Sequence, residues 1–372
     1  MDDRVLITGG AGFIGSHVCD RLLESGYQVR VLDNLDPQVH GGATEPPAYL
    51  SSDVEFLGGD VRDPESVGAA LHDVDMVIHL AAAVGVGQSM YEMRRYSEVN
   101  TVGTGVLLEA LMKHPVRKLV VASSMSIYGE GMYRAPSGMP HHAAERALDR
   151  LRRGDWEVRT VDGDPLTPIP TPETKQPRLT SIYALSKYNQ ERMAILFGGA
   201  YGVPVVALRF FNVYGTRQAL SNPYTGVLAI FASRYINNRP PLIFEDGNQM
   251  RDFVSVEDVS RGVCLALENE AAVQEVFNIG SGESVSVRSI ANTMAKVLGR
   301  ETIDPVVTGR YRMGDIRHCF ADIEKARRIL GYRPRTSLLD GLGELAEWLE
   351  NQVADDRAEF AVAQLAERGL TV

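Results

Sequence analysis

An α/β fold, with a doubly wound parallel sheet and a smaller mixed α/β lobe beside it, follows from three features of these 372 residues. Short apolar runs recur through the first 210 residues, amphipathic stretches separate them, and the first run ends in a glycine-rich turn that opens a helix. Strands alternating with helices imply parallel pairing, because a parallel connection needs a long crossover. The expected strands are 5–8, 29–32, 54–57, 76–80, 118–122 and 205–209. Between them, Ile14/Val18/Leu22 and Val99/Val102/Val106/Ala110 each place apolar side chains on one helical stripe.

The turn is Thr8-Gly9-Gly10-Ala11-Gly12-Phe13-Ile14-Gly15, directly after Val5-Leu6-Ile7. Strand, glycine turn and helix are the layout of a Rossmann-type dinucleotide site. Gly9 serves the tight turn, Gly12 the close approach of a pyrophosphate, and Gly15 the packing of helix on strand. Phe13 and Ile14 open the helix, whose free N–H groups face the phosphates. Asp33 ends the second strand, where a carboxylate accepts both ribose hydroxyls and repels a 2′-phosphate, so NAD is expected over NADP. Asn34 beside it brings no cation. Asp60 and Val61 follow the third strand and are expected at the adenine edge, and Leu80, Ala81 and Ala82 are expected to lie flat against the cofactor. Each feature also has a plain reading as turn or packing chemistry; their combination favours the dinucleotide.

Hydroxyls cluster where the fifth strand leaves the sheet, at Ser123, Ser124 and Ser126. Tyr183 and Lys187 stand four apart and so share a helical face. A lysine so placed stabilises a tyrosine phenolate and reaches ribose hydroxyls.

The motifs TGGAGFIG (8–15), HLAA (79–82), SSMSIYG (123–129), YALSK (183–187), FNVYG (211–215) and RDFVSVEDV (251–259) resemble the extended short-chain dehydrogenase/reductase family. Its members include NAD-dependent epimerases and dehydratases of nucleotide sugars. The resemblance implies Ser124 as catalytic hydroxyl, Tyr183 as base and Lys187 as its helper. It also puts Asn212 on the substrate side and Arg251 and Arg312 near the diphosphate. The stretches 84–90, 218–226 and 242–247 resemble the branch that acts on dTDP-L-rhamnose, which adds Asn222 and Tyr224 to the substrate pocket with Ser124 and Ser126. The expected reaction is 4-epimerisation of a nucleoside-diphosphate hexose through a transient 4-keto sugar, with dTDP-L-rhamnose or a related 6-deoxyhexose preferred.

A 4,6-dehydratase, a decarboxylase and a ketoreductase are the enzymatic alternatives. Related dehydratases place acidic residues in the two positions after the catalytic hydroxyl, and here those are Met125 and Ser126. A non-catalytic NAD-sensing scaffold, the alternative of another class, has no need of Ser124, Tyr183 and Lys187 together. Related inserts carry cysteines suited to a metal knuckle; the matching positions here are Ala135, Arg159 and Asp162, and His141-His142 reads as surface, so no metal is expected.

The net charge of −10 without a basic block argues against nucleic acid or an anionic membrane as partner. Cys19, Cys264 and Cys319 lie far apart and suit reduced, buried positions. A strand begins within four residues of Met1 and no long apolar segment follows, so neither a signal peptide nor a membrane span is expected, and the cytoplasm is the default. Residues 1–210 are expected to form the NAD domain, with an insertion at about 131–178. Residues 211–340 would form mainly the substrate lobe, segment 251–275 returning to the first domain, and 341–372 a helical extension. By resemblance, helices around 98–112 and 183–197 make a homodimer contact; Val106/Ala110 and Met193/Leu196/Phe197 suit it, and each stripe equally suits packing on its own sheet.

Overall fold

The computed structural model describes residues 3–143, 145–224 and 226–371. Seven parallel strands form the main sheet: β1 (Arg4–Thr8), β2 (Gln28–Asp33), β3 (Glu55–Gly58), β4 (Met76–His79), β5 (Lys118–Ser124), β6 (Val205–Phe210) and β7 (Glu275–Ile279). Their order is β3-β2-β1-β4-β5-β6-β7. The winding reverses between β1 and β4, which opens a crevice at the carboxyl ends of the strands.

All six expected strands are present. The seventh corrects the expected lobe boundary, since residues 275–279 had been assigned to the smaller lobe. Phe277 stands opposite Leu208 in the ladder, and Phe277 and Ile279 are fully buried. A strand covered on both faces gains most inside a large sheet. Ala326 and Leu330 of the helix Glu324–Leu330, with Tyr332, join the same core, so the return extends beyond residue 275.

One face of the sheet is covered by the helices Phe13–Glu24 and Val256–Glu268, through Val18, Leu22, Val259 and Val263. The other is covered by Gly103–Leu111 and Ile182–Tyr201, through Leu107, Leu111, Ala194 and Phe197. Phe197 therefore faces inward, as do Val106, Ala110 and Met193, whereas Leu196 is 63 % exposed, with Val102 and Leu185 also outside. The three cysteines are buried and free.

The smaller lobe packs the helices Val227–Ile236, Val287–Val297 and Leu338–Leu349 through Phe231, Tyr235, Met294 and Leu345. In the insertion, strand Met132–Arg134 lies between Pro140–His142 and Thr167–Ile169, over a small core of Tyr133, Ala143, Val158 and Leu166. Arg159 donates to the carbonyl of Gly163 and lies 3.5 Å from Asp155. Among the described residues no group of three or more His, Cys, Asp or Glu side chains gathers to hold a metal, and no helix is long and apolar enough to cross a membrane.

Buried ions tie the insertion to the lobe. Arg317, wholly buried, pairs with Glu245 (2.8 Å), Asp246 (2.6 Å) and Glu157 of the insertion. Arg146 of the insertion pairs with Glu245 (2.8 Å) and Glu130 (3.2 Å). Removing one partner of such a set leaves charge stranded where water cannot reach it. Arg317→Met is expected to destabilise the protein by about 3 kcal/mol in denaturant unfolding. An unchanged unfolding midpoint would show that these ions do not hold the insertion.

Candidate active site

The carboxyl ends of the strands, the loops that follow them and the smaller lobe enclose one cavity of about 860 Å³. Every site residue expected from the sequence lines it. On one side these are Gly9, Gly12, Phe13, Ile14, Gly15, Asp33, Asn34, Asp60, Val61, Leu80, Ala81 and Ala82. On the other they are Ser124, Ser126, Tyr183, Lys187, Asn212, Asn222, Tyr224, Arg251 and Arg312.

The glycines of the turn divide their work. Gly9 has φ +73°, and a Cβ there would stand 2.8 Å from the backbone of Ala81. A Cβ on Gly15 would stand 2.3 Å from the Gly9 carbonyl oxygen. Both are needed for chain to lie on chain. Gly12 differs: its Cβ would touch only the Gly9 oxygen, at 3.4 Å, and the helix starting there has no side-chain cap. Its first N–H groups are left for a ligand.

Asp33 is buried, and its oxygens accept from the backbone N–H groups of Ala11 (3.0 Å) and Leu35 (2.9 Å). Burial pushes its carboxyl up, while those two donors act against it. A carboxylate has further lone pairs, so hydroxyls remain acceptable to it. Asp60 departs from the simple expectation of a free carboxylate. It is held by Arg62 (2.7 Å) and by the Asn34 amide (2.9 Å), and the Arg62 hydrogen bonds keep it down at about 2.

The Tyr183–Lys187 helix starts at Ser181, whose hydroxyl accepts from Ala184 N (3.1 Å). The Tyr183 N–H donates to the Ser89 hydroxyl (3.0 Å), which fixes the helix against the loop after β4. Burial pushes the Tyr183 phenol up, and a hydrogen bond with Ser124 pulls it down. The Ser126 hydroxyl stands 3.1 Å from that of Ser124, within hydrogen-bond distance. Lys187 Nζ donates to Gln190 Oε1 (2.6 Å), which occupies one of its three N–H groups. Gln190 contacts Thr104 (2.9 Å) and His79 (3.1 Å), and His79 bonds Thr8 (2.7 Å). Burial lowers Lys187 to about 7 and His79 to about 3, so that imidazole is neutral.

In the smaller lobe, the Asn212 amide donates to the Asp252 carbonyl (3.0 Å), and Asn222 accepts from Tyr224 N (3.0 Å). Tyr91 donates to the Tyr224 hydroxyl (2.7 Å). Arg312 lies over the Phe244 ring and donates to Asp315 (2.9 Å). Arg251 donates only to the carbonyls of Met250, Ile316 and Arg317, and among the described residues it forms no ion pair. That leaves a guanidinium with no direct carboxylate partner at the cavity wall, which suits an anion.

Sequence reasoning missed several residues. Asn100 sits in a π-helical turn, Ser97–Val102, and bonds both backbone groups of Ala83. Gln190 holds Lys187. The C-terminal extension, for which the sequence carried no site assignment, lines the cavity with Ala358, Ala361, Val362, Leu365 and Leu370. The apolar pattern of this stretch gave no sign of it, because core packing writes the same periodicity.

A parallel sheet with this crevice and this Tyr–Lys pair defines a dinucleotide-dependent enzyme. The chain belongs to the NAD dependent epimerase/dehydratase family, whose model matches residues 5–155 and 156–280. It is 36 % identical to the dTDP-L-rhamnose 4-epimerase of Burkholderia thailandensis, over 94 % of this chain and 96 % of that protein. The UDP-glucose 4-epimerase of Thermotoga maritima, solved with UDP-glucose, is 34 % identical, with a TM-score of 0.76 over 93 % of this chain and 98 % of that one. A UDP-glucuronic acid 4-epimerase of Bacillus cereus, solved with UDP-glucuronic acid and NAD, is 29 % identical, with a TM-score of 0.76 over 93 % and 99 %. The protein is an enzyme of this family, with NAD as cofactor and a nucleotide sugar as substrate.

The Lys187 shift has a measurable consequence. Below about pH 7 the lysine is charged in both folded and unfolded chains, whereas between about 7 and its ordinary 10.5 only the unfolded chain keeps the proton. The unfolded chain then binds more protons, so stability from this group rises with pH across that window. In protein freed of NAD, Lys187→Met should raise the melting temperature more at pH 6 than at pH 9. An equal gain at both would contradict a buried, depressed ammonium.

Proposed function

We propose that the protein is a nucleotide-sugar 4-epimerase, with dTDP-L-rhamnose or a related 6-deoxyhexose as preferred substrate. One observation carries this reading: the cavity brings Ser124, Tyr183 and Lys187 together, and among the described residues it offers no carboxylate without a partner. Its four acidic residues are engaged: Asp33 with backbone amides, Asp36 with Arg95, Asp60 with Arg62, and Asp315 with Arg312. Eliminating water across C5–C6 needs a further acid and base, and Met125 and Ser126 provide neither carboxylate. Returning hydrogen to C4 needs only the hydroxyl, phenol and lysine.

NAD fits the turn, because Gly12 leaves room where Gly9 and Gly15 are closed by backbone and because the first helix N–H groups are uncapped. Asp33 would hold the adenosine ribose, with Gly9, Phe13, Ile14, Gly15, Asn34, Asp60, Val61 and Leu80 to Ala82 around the dinucleotide. When bound, NAD supplies reversible acceptance and return of a hydride. Tyr183 Oη takes the proton of the 4-hydroxyl as C4 is oxidised to the ketone, and gives it back when C4 is reduced from the opposite face. Ser124 donates to the reacting oxygen and is steadied by Ser126. Lys187 supports the phenolate and the ribose. Arg251, with Arg312, Asn212, Asn222 and Tyr224, holds the diphosphate end while the ketone turns about it. No net oxidation results. A homodimer formed through the outward Val102, Leu185 and Leu196, and a cytoplasmic site of action, complete the reading.

For NAD choice, Asp33→Ala should narrow the preference for NAD over NADP in dinucleotide titrations; comparable affinities in the unaltered enzyme would overturn the charge argument. Tyr183→Phe should lower kcat by about 100- to 10,000-fold with nucleotide-sugar affinity largely kept. Arg251→Ala should mainly raise KM. The deciding assay offers dTDP-L-rhamnose, UDP-glucose, UDP-N-acetylglucosamine and UDP-glucuronic acid side by side and resolves products at C4. A 6-deoxy-4-keto sugar as sole product from UDP-glucose would make the enzyme a dehydratase.

A further inference from the structure

One wall of the cavity carries no sequence motif. The helix Ala358–Glu367 turns Ala361, Val362 and Leu365 into the cavity, and Leu370 follows just beyond it. A helix of 10 residues is marginal in isolation, so its position depends on what holds it. At its start, the buried Arg234 pairs with the buried Asp356 (3.1 Å) and with Glu359 (3.0 Å). At its far end, Met313 N donates to the Leu370 carbonyl (2.9 Å), and Thr371 pairs with Arg312.

Between these anchors the segment lies against the turn that follows β4 and supports the start of the Tyr183 helix. A Cβ on Gly87 would stand 3.3 Å from the Leu365 methyls. Gly87 belongs to the turn Val86–Ser89, and Ser89 accepts the Tyr183 N–H. Arg368 stacks on Tyr91, whose hydroxyl bonds Tyr224. The segment thus crosses the cavity from the neighbourhood of Tyr183 to that of Arg312.

Its inner face presents carbon alone. A hydroxyl or carboxylate pressed against Val362 and Leu365 loses its water and gains no partner. Arg95, the cavity cation that borders this loop, is already held by Asp36 (2.9 Å) and Glu92 (3.0 Å). A methyl group loses nothing there and gains contact with the leucine.

We infer that residues 354–371 form the sugar-side wall of the site, and that Val362 and Leu365 select a hexose bearing a methyl group at C5 over one bearing a hydroxymethyl or carboxylate group. The inference rests on the nucleotide-sugar reading above but not on the position epimerised.

The test is equilibrium binding by calorimetry, with NAD present and in a Tyr183→Phe background so that no turnover intervenes. The ligands are the 6-deoxy and 6-hydroxy forms of one dTDP-hexose, with dTDP as reference. The 6-deoxy form should bind about 10-fold more tightly, the size of one group's contact in an apolar pocket. Leu365→Ser should erase that ratio while leaving dTDP affinity unchanged. Phe360→Ser, on the outer face and 58 % exposed, should preserve the ratio. A ratio near one in the parent, or one that survives Leu365→Ser, overturns the assignment. Should Leu365→Ser fail to fold, hydrogen exchange on the parent decides: the 6-deoxy ligand should slow the amides of 358–367 beyond what dTDP does, and equal rates refute the wall. A wrong C4 product beside a ratio lost in Leu365→Ser would sink the epimerase reading and leave this one standing.

Discussion

The side chain of Asn100 sets the spacing between the two halves of the site. Beyond β4 the chain leaves the sheet, and the N–H and C=O of Ala83 lose their strand partners in a buried place. Asn100 supplies both, at 2.7 and 3.0 Å, and donates at 2.9 Å to Ser186, one residue before Lys187. The π-helical turn at Ser97–Val102 accompanies this inward placement, a distortion often met where a helix serves a site. With both backbone groups satisfied, the loop Ala81–Ala83 can lie against Gly9 on one side and the catalytic helix on the other. An apolar residue in place of Asn100 would leave both backbone groups of Ala83 stranded in the interior.

What could be read from the sequence follows from how local each feature is. The glycine turn, Asp33, the strand-end Ser124 and the Tyr183–Lys187 spacing are short patterns whose chemistry dictates their geometry. The six expected strands are apolar runs of the right length. β7 was assigned to the wrong lobe because a buried strand carries no mark of its neighbour, and its partner β6 lies far back in the chain. Helical spacing places Lys187 on the face of Tyr183 but is silent about what stands behind the helix. Gln190, which accepts from Lys187, is fixed by Thr104 and His79, which come from two other elements. The Asp60–Arg62 pairing was visible as neighbours in sequence, yet a carboxylate at that edge invites a ligand reading first.

The insertion illustrates a different limit. Its own core holds few side chains, too small to stand as an independent unit. What locates it is charge drawn from distant positions: Glu130, Arg146 and Glu157 on its side, Glu245, Asp246 and Arg317 on the lobe's. Arg317 and Arg251 are close along the same small sheet, and Arg251 hydrogen-bonds the Arg317 carbonyl. The insertion is thereby coupled to the guanidinium that meets the cavity with no direct carboxylate partner.

The cavity's lining runs from Gly9 to Leu370, and this bears on the order of events as the protein folds. Strands β1 to β5 and their helices are neighbours in the chain and can associate early, since closing short loops costs little entropy. The wall opposite Tyr183 arrives from the other end of the sequence. A chain still folding would possess a nearly complete sheet and its dinucleotide turn while its sugar side stood open to water. The dinucleotide side of the cavity is thus built from contacts closer together in the chain than those that close its C-terminal wall.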